Sequence, residues 1–239
     1  MSHQVIYVFD MDGTLTPARL PMTEDFAARF RPFIATNKVY IASGSDVKKI
    51  YEQMPKDMCE NVSGLYCSMG NELYIHGEEI YHHDFTPEAS LLERLENYRK
   101  NTLYPYTLYP NYIEKRIGML NFSILGRDCP HDERYRYKLW DDEHQERRKI
   151  ADELIPLYPQ YDISLGGNIS MDIVPKGFGK DQIGDHLRAQ YPDNKIVFIG
   201  DRTEKGGNEY ELARRLTELG NSEVINVDGP DDVISILNL

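Results

Sequence analysis

Runs of apolar residues that end in small or acidic residues recur along the chain. Three of them predict strands, at Val5–Phe9, Val39–Ala42 and Ile196–Ile199. An uninterrupted apolar run rich in β-branched residues is typical of a parallel strand buried on both faces. Helical patterns follow the second and third runs, at 47–54 and 208–219. This alternation predicts a doubly wound α/β fold with a parallel sheet.

The middle of the chain has a different pattern. Amphipathic periodicity predicts helices at Glu88–Lys100 and Asp142–Leu157. Pairs of antiparallel strands are predicted within 112–125 and within 161–174, because each segment turns at glycine. Helices and strand pairs in this order predict an inserted α+β domain.

The change of pattern sets the expected domain boundaries. We expect a core formed by residues 1–84 and 177–239, interrupted by a cap at residues 85–176. The core is expected to close with a strand at Val224–Val227 and a short helix at 231–237.

Two carboxylates follow the first predicted strand, in the string Asp10-Met11-Asp12-Gly13-Thr14-Leu15-Thr16. Alternate residues of an extended chain point the same way, so both acids can face one site. The carboxyl ends of parallel strands are where open α/β sheets bind ligands. Asp10 is expected to attack a phosphorus atom, and Asp12 to move a proton. An acidic turn after a core strand is the alternative, which the full string disfavours.

Two further candidates could hold a phosphate group. Ser43 follows the second strand and could bind a phosphate oxygen, although Ser43 or Ser45 could instead cap the next helix. Lys180 follows a glycine-rich loop at a helix start, a position that favours an anion. Lys176 competes for this role, and a solvated surface lysine is the alternative.

The last strand is followed by two acids, Asp201 and Glu209. Asp201 is a candidate ligand for Mg²⁺, a hard cation that prefers carboxylates. Asp10 and Asp12 are candidates for the same metal. Glu209 is the fourth candidate metal ligand. An acid in the first turn of the following helix is a nearly equal interpretation of this residue. A cation there would lower the repulsion between Asp10 and an incoming phosphate.

Together these pieces resemble the motifs of the haloacid dehalogenase superfamily of phosphoryl-transfer enzymes. Over nearly the whole chain, the sequence resembles the eukaryotic-type phosphomannomutases. The segments that carry this resemblance are Phe9–Arg19, Arg116–Arg127, Glu133–Arg134, Ser164–Pro175 and Gly200–Asn208. It implies a haloacid dehalogenase-like core with a cap that closes to exclude water. It also implies that mannose 6-phosphate and mannose 1-phosphate are interconverted through an aspartyl-phosphate, with Mg²⁺ as cofactor and hexose 1,6-bisphosphate as activator.

The resemblance also implies residues that bind the hexose phosphate. In that family, cap arginines hold the distal phosphate, and a serine and an aspartate contact sugar hydroxyls. Carried over by position, these are Arg116, Arg127, Arg134, Ser170 and Asp172. Arg19 is carried over to the core side. The alternative is that the arginines pair with neighbouring acids, namely Glu114, Asp128 and Glu133.

Two departures keep other functions open. Ser43 lies where the family usually has glycine, as in the wider superfamily with its phosphatases, and Glu209 replaces an expected aspartate. A sugar-phosphate phosphatase would use the same core residues and transfer the phosphate to water. A catalytically silent sugar-phosphate sensor is disfavoured, because the four residues expected to act in catalysis are all retained, namely Asp10, Asp12, Lys180 and Asp201.

Composition limits the partners. The chain has 239 residues, of which 41% are hydrophobic and 28% charged, as in ordinary globular proteins. Its net charge of −12 argues against nucleic-acid binding, and no apolar segment is long enough to span a membrane. Three cysteines without metal-ligand spacing predict free thiols in a reducing compartment, hence a cytoplasmic protein. The resemblance implies a homodimer formed through the cap.

Overall fold

The computed structural model describes residues 4–239 and divides into two compact units. One unit contains the chain up to His83 together with Phe178–Leu239, and the other contains Asp84–Gly177. We call them the core unit and the inserted unit. Residues 1–3, which the expected core range includes, lie outside the described residues.

The core unit is built on a seven-stranded sheet with helices between its strands. Its strands are β1 (Ile6–Phe9), β2 (Lys38–Ala42), β3 (Gly64–Cys67), β4 (Glu72–Ile75), β5 (Glu78–His82), β10 (Ile196–Gly200) and β11 (Ser222–Asn226). Its helices are α1 (Glu24–Thr36), α2 (Val47–Gln53), α3 (Lys56–Asn61), α7 (Gln182–Gln190), α8 (Tyr210–Leu219) and α9 (Pro230–Leu237), with a 3₁₀ turn at Ser68–Gly70. The order across the sheet is β11-β10-β1-β2-β3-β4-β5. The first five strands in this order are parallel, and β4 and β5 add an antiparallel edge.

The parallel sheet predicted from the apolar runs is confirmed, and both of its faces are covered. Ile6 and Val8 of β1 pack in a cluster with residues of α7 and α8, whereas Phe9 packs with residues of α1. This alternation along one strand is the two-residue period of extended chain. Phe9 and Phe30 are fully buried with ring centroids 5.2 Å apart, and the burial of each ring contributes about 1.5–3 kcal/mol.

The inserted unit is a four-stranded antiparallel sheet with three helices. Its strands are β6 (Ile113–Arg116), β7 (Met119–Phe122), β8 (Tyr161–Gly166) and β9 (Ser170–Pro175), in the order β6-β7-β9-β8. Its helices are α4 (Ala89–Lys100), α5 (His131–His144) and α6 (Glu146–Leu157). Both predicted strand pairs and the first predicted helix are confirmed.

The predicted helix over Asp142–Leu157 is confirmed for Glu146–Leu157, but its predicted start is wrong. Two helices, α5 and α6, meet at Gln145, whose φ of 54° lies in the left-handed region. Asp141, near the end of α5, is buried and accepts hydrogen bonds from the backbone and side chain of Arg147 in α6. The acids at 141–143 therefore end one helix instead of starting one.

The structure also bears on the cysteines and on the expectation that no segment spans a membrane. Cys59, Cys67 and Cys129 are buried and form no disulfide with one another. No helix within residues 4–239 is long and apolar enough to cross a membrane.

Candidate active site

The register of the core sheet brings three sequence motifs to one edge. Phe9, the last residue of β1, pairs with Ile41 of β2 and with Ile199 of β10. The chain leaves the sheet within two residues of each pair, so Asp10, Ser43 and Asp201 follow at neighbouring strand ends. This edge is where open α/β sheets bind ligands.

Asp10 and Lys180 form a buried ion pair at this edge. The Lys180 Nζ donates to Asp10 Oδ1 at 2.7 Å and to Glu209 Oε1 at 3.2 Å. All three side chains are at most 4% exposed. The prediction that Lys180 holds an anion therefore has a geometric basis, since its ammonium faces the expected nucleophile. Lys176 is exposed and belongs to the inserted unit.

The crowding of acids shifts their protonation. Burial and the charge of Asp10 raise the pKa of Asp201 to about 6 and that of Glu209 to about 8. Burial also raises the pKa of Asp10, although Lys180 opposes this shift. Burial alone would lower the pKa of Lys180, but the charges of Asp10 and Glu209 outweigh it and raise it.

The same acids are suited to hold a cation. Ligand oxygens of Asp10, Asp201 and Glu209 lie within 4.8 Å of one another. Asp10 Oδ2, Asp201 Oδ1 and Glu209 Oε2 are buried without a hydrogen-bond partner among the described residues. Three carboxylates face a single ammonium, which leaves negative charge that a divalent cation would offset. The residues present therefore fit a hard metal ion.

Asp12 is held apart from this acidic group. Its Oδ1 accepts hydrogen bonds from the backbone N–H of Arg19 at 2.6 Å and from Gln53 Nε2 at 2.8 Å. Gln53 is the last residue of α2 and is buried. The contact of Arg19 with Asp12 runs through its main chain, and the Arg19 side chain is exposed. Both of these donors contact Oδ1.

Gly13 lets two motifs approach each other. Its φ is 86°, and a Cβ atom at this position would lie 2.5 Å from Oδ2 of Asp201. A side chain would thus be strained by the backbone and would collide with a candidate metal ligand. The glycine that follows Asp12 in the sequence is required by this contact.

The residue that caps α2 is Asp46, and not one of the two serines that were candidates for this role. Asp46 is the N-cap of α2, since its Oδ1 accepts from the backbone N–H of Lys49 at 2.8 Å. Ser43 is buried, and its Oγ accepts from the backbone N–H of Ser45 at 3.0 Å. Neither serine caps the helix, and the Ser43 hydroxyl keeps its hydrogen for another acceptor.

In the inserted unit, Arg116 and Arg127 share one carboxylate. Glu114 Oε2 lies 2.6 Å from Arg116 Nη2 and 2.8 Å from Arg127 Nε. Both arginines thus pair with a neighbouring acid, and their assignment to a phosphate stays a prediction. The shared carboxylate also places the two guanidinium groups side by side, an arrangement in which both can contact the same anion.

Arg134 differs from the other two arginines. Its Nη2 donates to the backbone carbonyl of Arg127, and no acid pairs with it among the described residues. Asp128 instead accepts from Asn111, and Glu133 pairs with Arg136 at 2.8 Å. Burial, aided by the charge of Arg127, lowers the pKa of Arg134.

Ser170 and Asp172 join the same network. Arg127 Nη1 donates to Asn121 Oδ1 and, at 3.4 Å, to Ser170 Oγ. Asn121 Nδ2 donates to Asp172 Oδ1 at 2.5 Å. Ser170 and Asp172 are thus connected to Arg127, the first directly and the second through Asn121.

Two polar residues of these sites were not predicted. Gln53 gives no signal, because a glutamine at the end of a helix is usually solvated. Asn121 does give a sequence signal, because it is the polar residue in a strand whose other members, Met119, Leu120 and Phe122, are apolar. Such a residue is rarely buried without a specific partner.

Comparisons with known proteins identify the family of the chain. The family model described as eukaryotic phosphomannomutase matches residues 24–239, a range that begins after Asp10 and Asp12. A phosphomannomutase of Saccharomyces cerevisiae is 30% identical over 98% of this chain and 93% of its own length. A probable phosphomannomutase of Caenorhabditis elegans is 33% identical over 97% of this chain and 93% of its own.

Solved structures show the fold. A haloacid dehalogenase-like hydrolase from Bacteroides thetaiotaomicron superposes with a TM-score of 0.63 at 13% identity, covering 99% of both chains. The expected haloacid dehalogenase-like core with a separate antiparallel sheet is therefore confirmed.

Proposed function

The chain belongs to the eukaryotic phosphomannomutase family, and we propose that Asp10 is the nucleophile with which it interconverts mannose 6-phosphate and mannose 1-phosphate. This assignment rests on the difference in hydrogen bonding between the two oxygens of the Asp10 carboxylate. Oδ1 is held by Lys180, whereas Oδ2 is buried without a partner among the described residues. One oxygen is thus fixed and the other is available for attack.

Each of these residues has a separate role in the reaction. Asp10 Oδ2 forms a bond to phosphorus while the bond from phosphorus to the leaving sugar oxygen breaks, and Asp12 gives that oxygen its proton. In the return transfer, Asp12 takes the proton of the accepting hydroxyl, and the phosphoryl group leaves Asp10. Lys180 offsets the charge on the phosphoryl oxygens, and Ser43 donates a hydrogen bond to one of them.

We propose that Asp10, Asp201 and Glu209 hold the metal, and that the metal is Mg²⁺. Asp12 was predicted from sequence as a further ligand, and that assignment stays a prediction. Bound there, Mg²⁺ would offset negative charge on the transferring group. The partnerless oxygens of Asp201 and Glu209 support this proposal, and ligand oxygens of all three acids lie within 4.8 Å of one another.

The second phosphate of a hexose 1,6-bisphosphate activator needs a site of its own. We assign it to Arg116, Arg127 and Arg134 of the inserted unit, with Ser170 and Asp172 on the sugar hydroxyls. Guanidinium groups bind phosphate through a planar fork, which gives orientation as well as charge. The homodimer that the resemblance implies stays a prediction.

The experiment that tests the function supplies the purified protein with Mg²⁺ and mannose 1-phosphate, with and without hexose 1,6-bisphosphate. We expect mannose 6-phosphate to form faster when the bisphosphate is present, with little free phosphate. Free phosphate as the main product would instead establish a sugar-phosphate phosphatase, which the same core residues could support.

In the absence of divalent cations, we expect the free energy of unfolding to fall as the pH rises. The pKa values of Asp201 and Glu209 are raised to about 6 and about 8, so the folded state holds protons that the unfolded state has lost. Their contribution to stability is present below the ordinary carboxyl pKa and is lost as the pH rises through these values. Thermal unfolding in a chelator, followed between about pH 4.5 and pH 8, checks this.

Added Mg²⁺ is expected to restore stability. At a concentration one hundred times its Kd, it should raise the free energy of unfolding by about 2.7 kcal/mol. The variant Glu209→Gln should show a flatter pH dependence and Asp201→Asn a smaller response to Mg²⁺. A response to Mg²⁺ that is the same in Asp201→Asn as in the original protein would place the metal elsewhere.

A further inference from the structure

A row of polar residues crosses the sheet of the inserted unit. Glu114 on β6 pairs with Asn121 on β7, and Asn121 pairs with Asp172 on β9. The residues next to Asn121 in its strand, Leu120 and Phe122, belong to the apolar core of the unit. Because side chains alternate along a strand, the row lies on the opposite face of the sheet from that core.

Both ends of the Asn121 amide are used within this row. Its oxygen accepts from Arg127 Nη1, and its nitrogen donates to Asp172 Oδ1. The side chain is only 3% exposed. A buried amide with a cationic partner at one end and an anionic partner at the other has a single favourable orientation.

Without the amide, its two partners would attract each other. Arg127 and Asp172 carry opposite charges, and a guanidinium pairs readily with a carboxylate. A direct pair would turn Arg127 away from a phosphate and Asp172 away from a sugar hydroxyl. An amide between them satisfies both groups while keeping them separate.

We propose that Asn121 is a positioning residue that holds Arg127 and Asp172 apart and oriented for the two ends of one hexose phosphate. This inference rests on the proposed function, in which Arg127 binds phosphate and Asp172 binds the sugar. Asn121 thereby couples recognition of the phosphate to recognition of the sugar. It acts on binding of the sugar phosphate and not on the chemistry at Asp10.

Two variants separate the two ends of the amide. Asn121→Leu removes both hydrogen bonds with little change in volume. Asn121→Asp keeps an acceptor for Arg127 and places a carboxylate against Asp172. We expect kcat/KM on mannose 1-phosphate to fall roughly 10- to 100-fold in Asn121→Leu, mainly through KM. Turnover of p-nitrophenyl phosphate, which has no sugar, should change less than about twofold.

A double-mutant cycle tests whether Asn121 acts through Asp172. If it does, the total loss in the double variant Asn121→Leu/Asp172→Asn is much smaller, in free energy, than the sum of the two single losses. Tyr158→Phe is the matched control, because it removes a different buried polar group of the same unit, which lies 3.4 Å from Ser90 Oγ. This variant should keep the original KM. Thermal unfolding of every variant shows whether it folds.

The outcomes are distinct. Equal losses on both substrates, additive effects in the cycle, or an unchanged KM in both folded Asn121 variants would each overturn the positioning role. If Asn121→Leu does not fold, the KM of Asn121→Asp decides. Absence of mannose phosphate turnover in the original protein would instead overturn the proposed function.

Discussion

Replacing Asp10 by asparagine is expected to abolish phosphoryl transfer while leaving the protein folded. An amide has nearly the same shape as a carboxylate but is a poor nucleophile. Loss of the nucleophile in another covalent enzyme costs about 10⁶-fold in kcat, and we expect a loss of that order. The fold should survive, because Lys180 keeps its contact with Glu209 at 3.2 Å and one of three crowded acids becomes neutral.

The measurement is mannose phosphate turnover together with ³²P labelling of the protein by hexose 1,6-bisphosphate. Asp185→Asn is the control, because it makes the same chemical change at an exposed ion pair with Arg215, and exposed pairs contribute little to stability. Asp10→Ala is a second variant that cannot revert by deamidation. Labelling of Asp10→Ala at the original rate would remove Asp10 from the mechanism.

Replacing Asp12 is expected to slow both half-reactions, by about 10²–10⁴-fold. Asp12→Asn is the sharper variant, since its amide oxygen can still accept from Arg19 and Gln53 while the proton on the other oxygen is lost. Asp12→Ala should show at least the same loss. Phosphorylation and dephosphorylation are measured separately, in single turnovers at saturating Mg²⁺.

The leaving group provides the internal control. The p-nitrophenolate ion is weakly basic and leaves without a proton, so phosphorylation by p-nitrophenyl phosphate should suffer much less than phosphorylation by a sugar phosphate. Equal losses with both donors would argue against proton transfer by Asp12. A loss that saturating Mg²⁺ reverses would make Asp12 a metal ligand only.

The parts of the fold that could be predicted are those encoded locally. Val39–Ala42 and its counterparts combine an apolar run with a following polar residue, so both the strand and its functional end are visible in one window. Parallel pairing then places Asp10, Ser43 and Asp201 together without any knowledge of the loops. The fold class and one edge of the site follow from this alone.

Contacts between distant segments could not be predicted. The pairing of Lys180 with both Asp10 and Glu209 depends on the packing of three separate loops. Helix α5 was missed because its buried positions, which include Glu133 and Asp141, are largely polar and give no apolar stripe. The antiparallel edge at β4 and β5 was missed because every residue of β5 is at least partly exposed.

During synthesis, β1 emerges from the ribosome long before one of its two neighbours in the sheet. Ile6 pairs with Lys38 on one side and with Ile196 on the other, and the whole inserted unit is translated between them. One edge of β1 is therefore unpaired while Asp84–Gly177 is made, and an unpaired strand edge favours aggregation. The inserted unit, whose contacts are closer in sequence, is complete first, so joining β10 to β1 is the expected late step of folding and the stage at which a chaperone would protect the nascent chain.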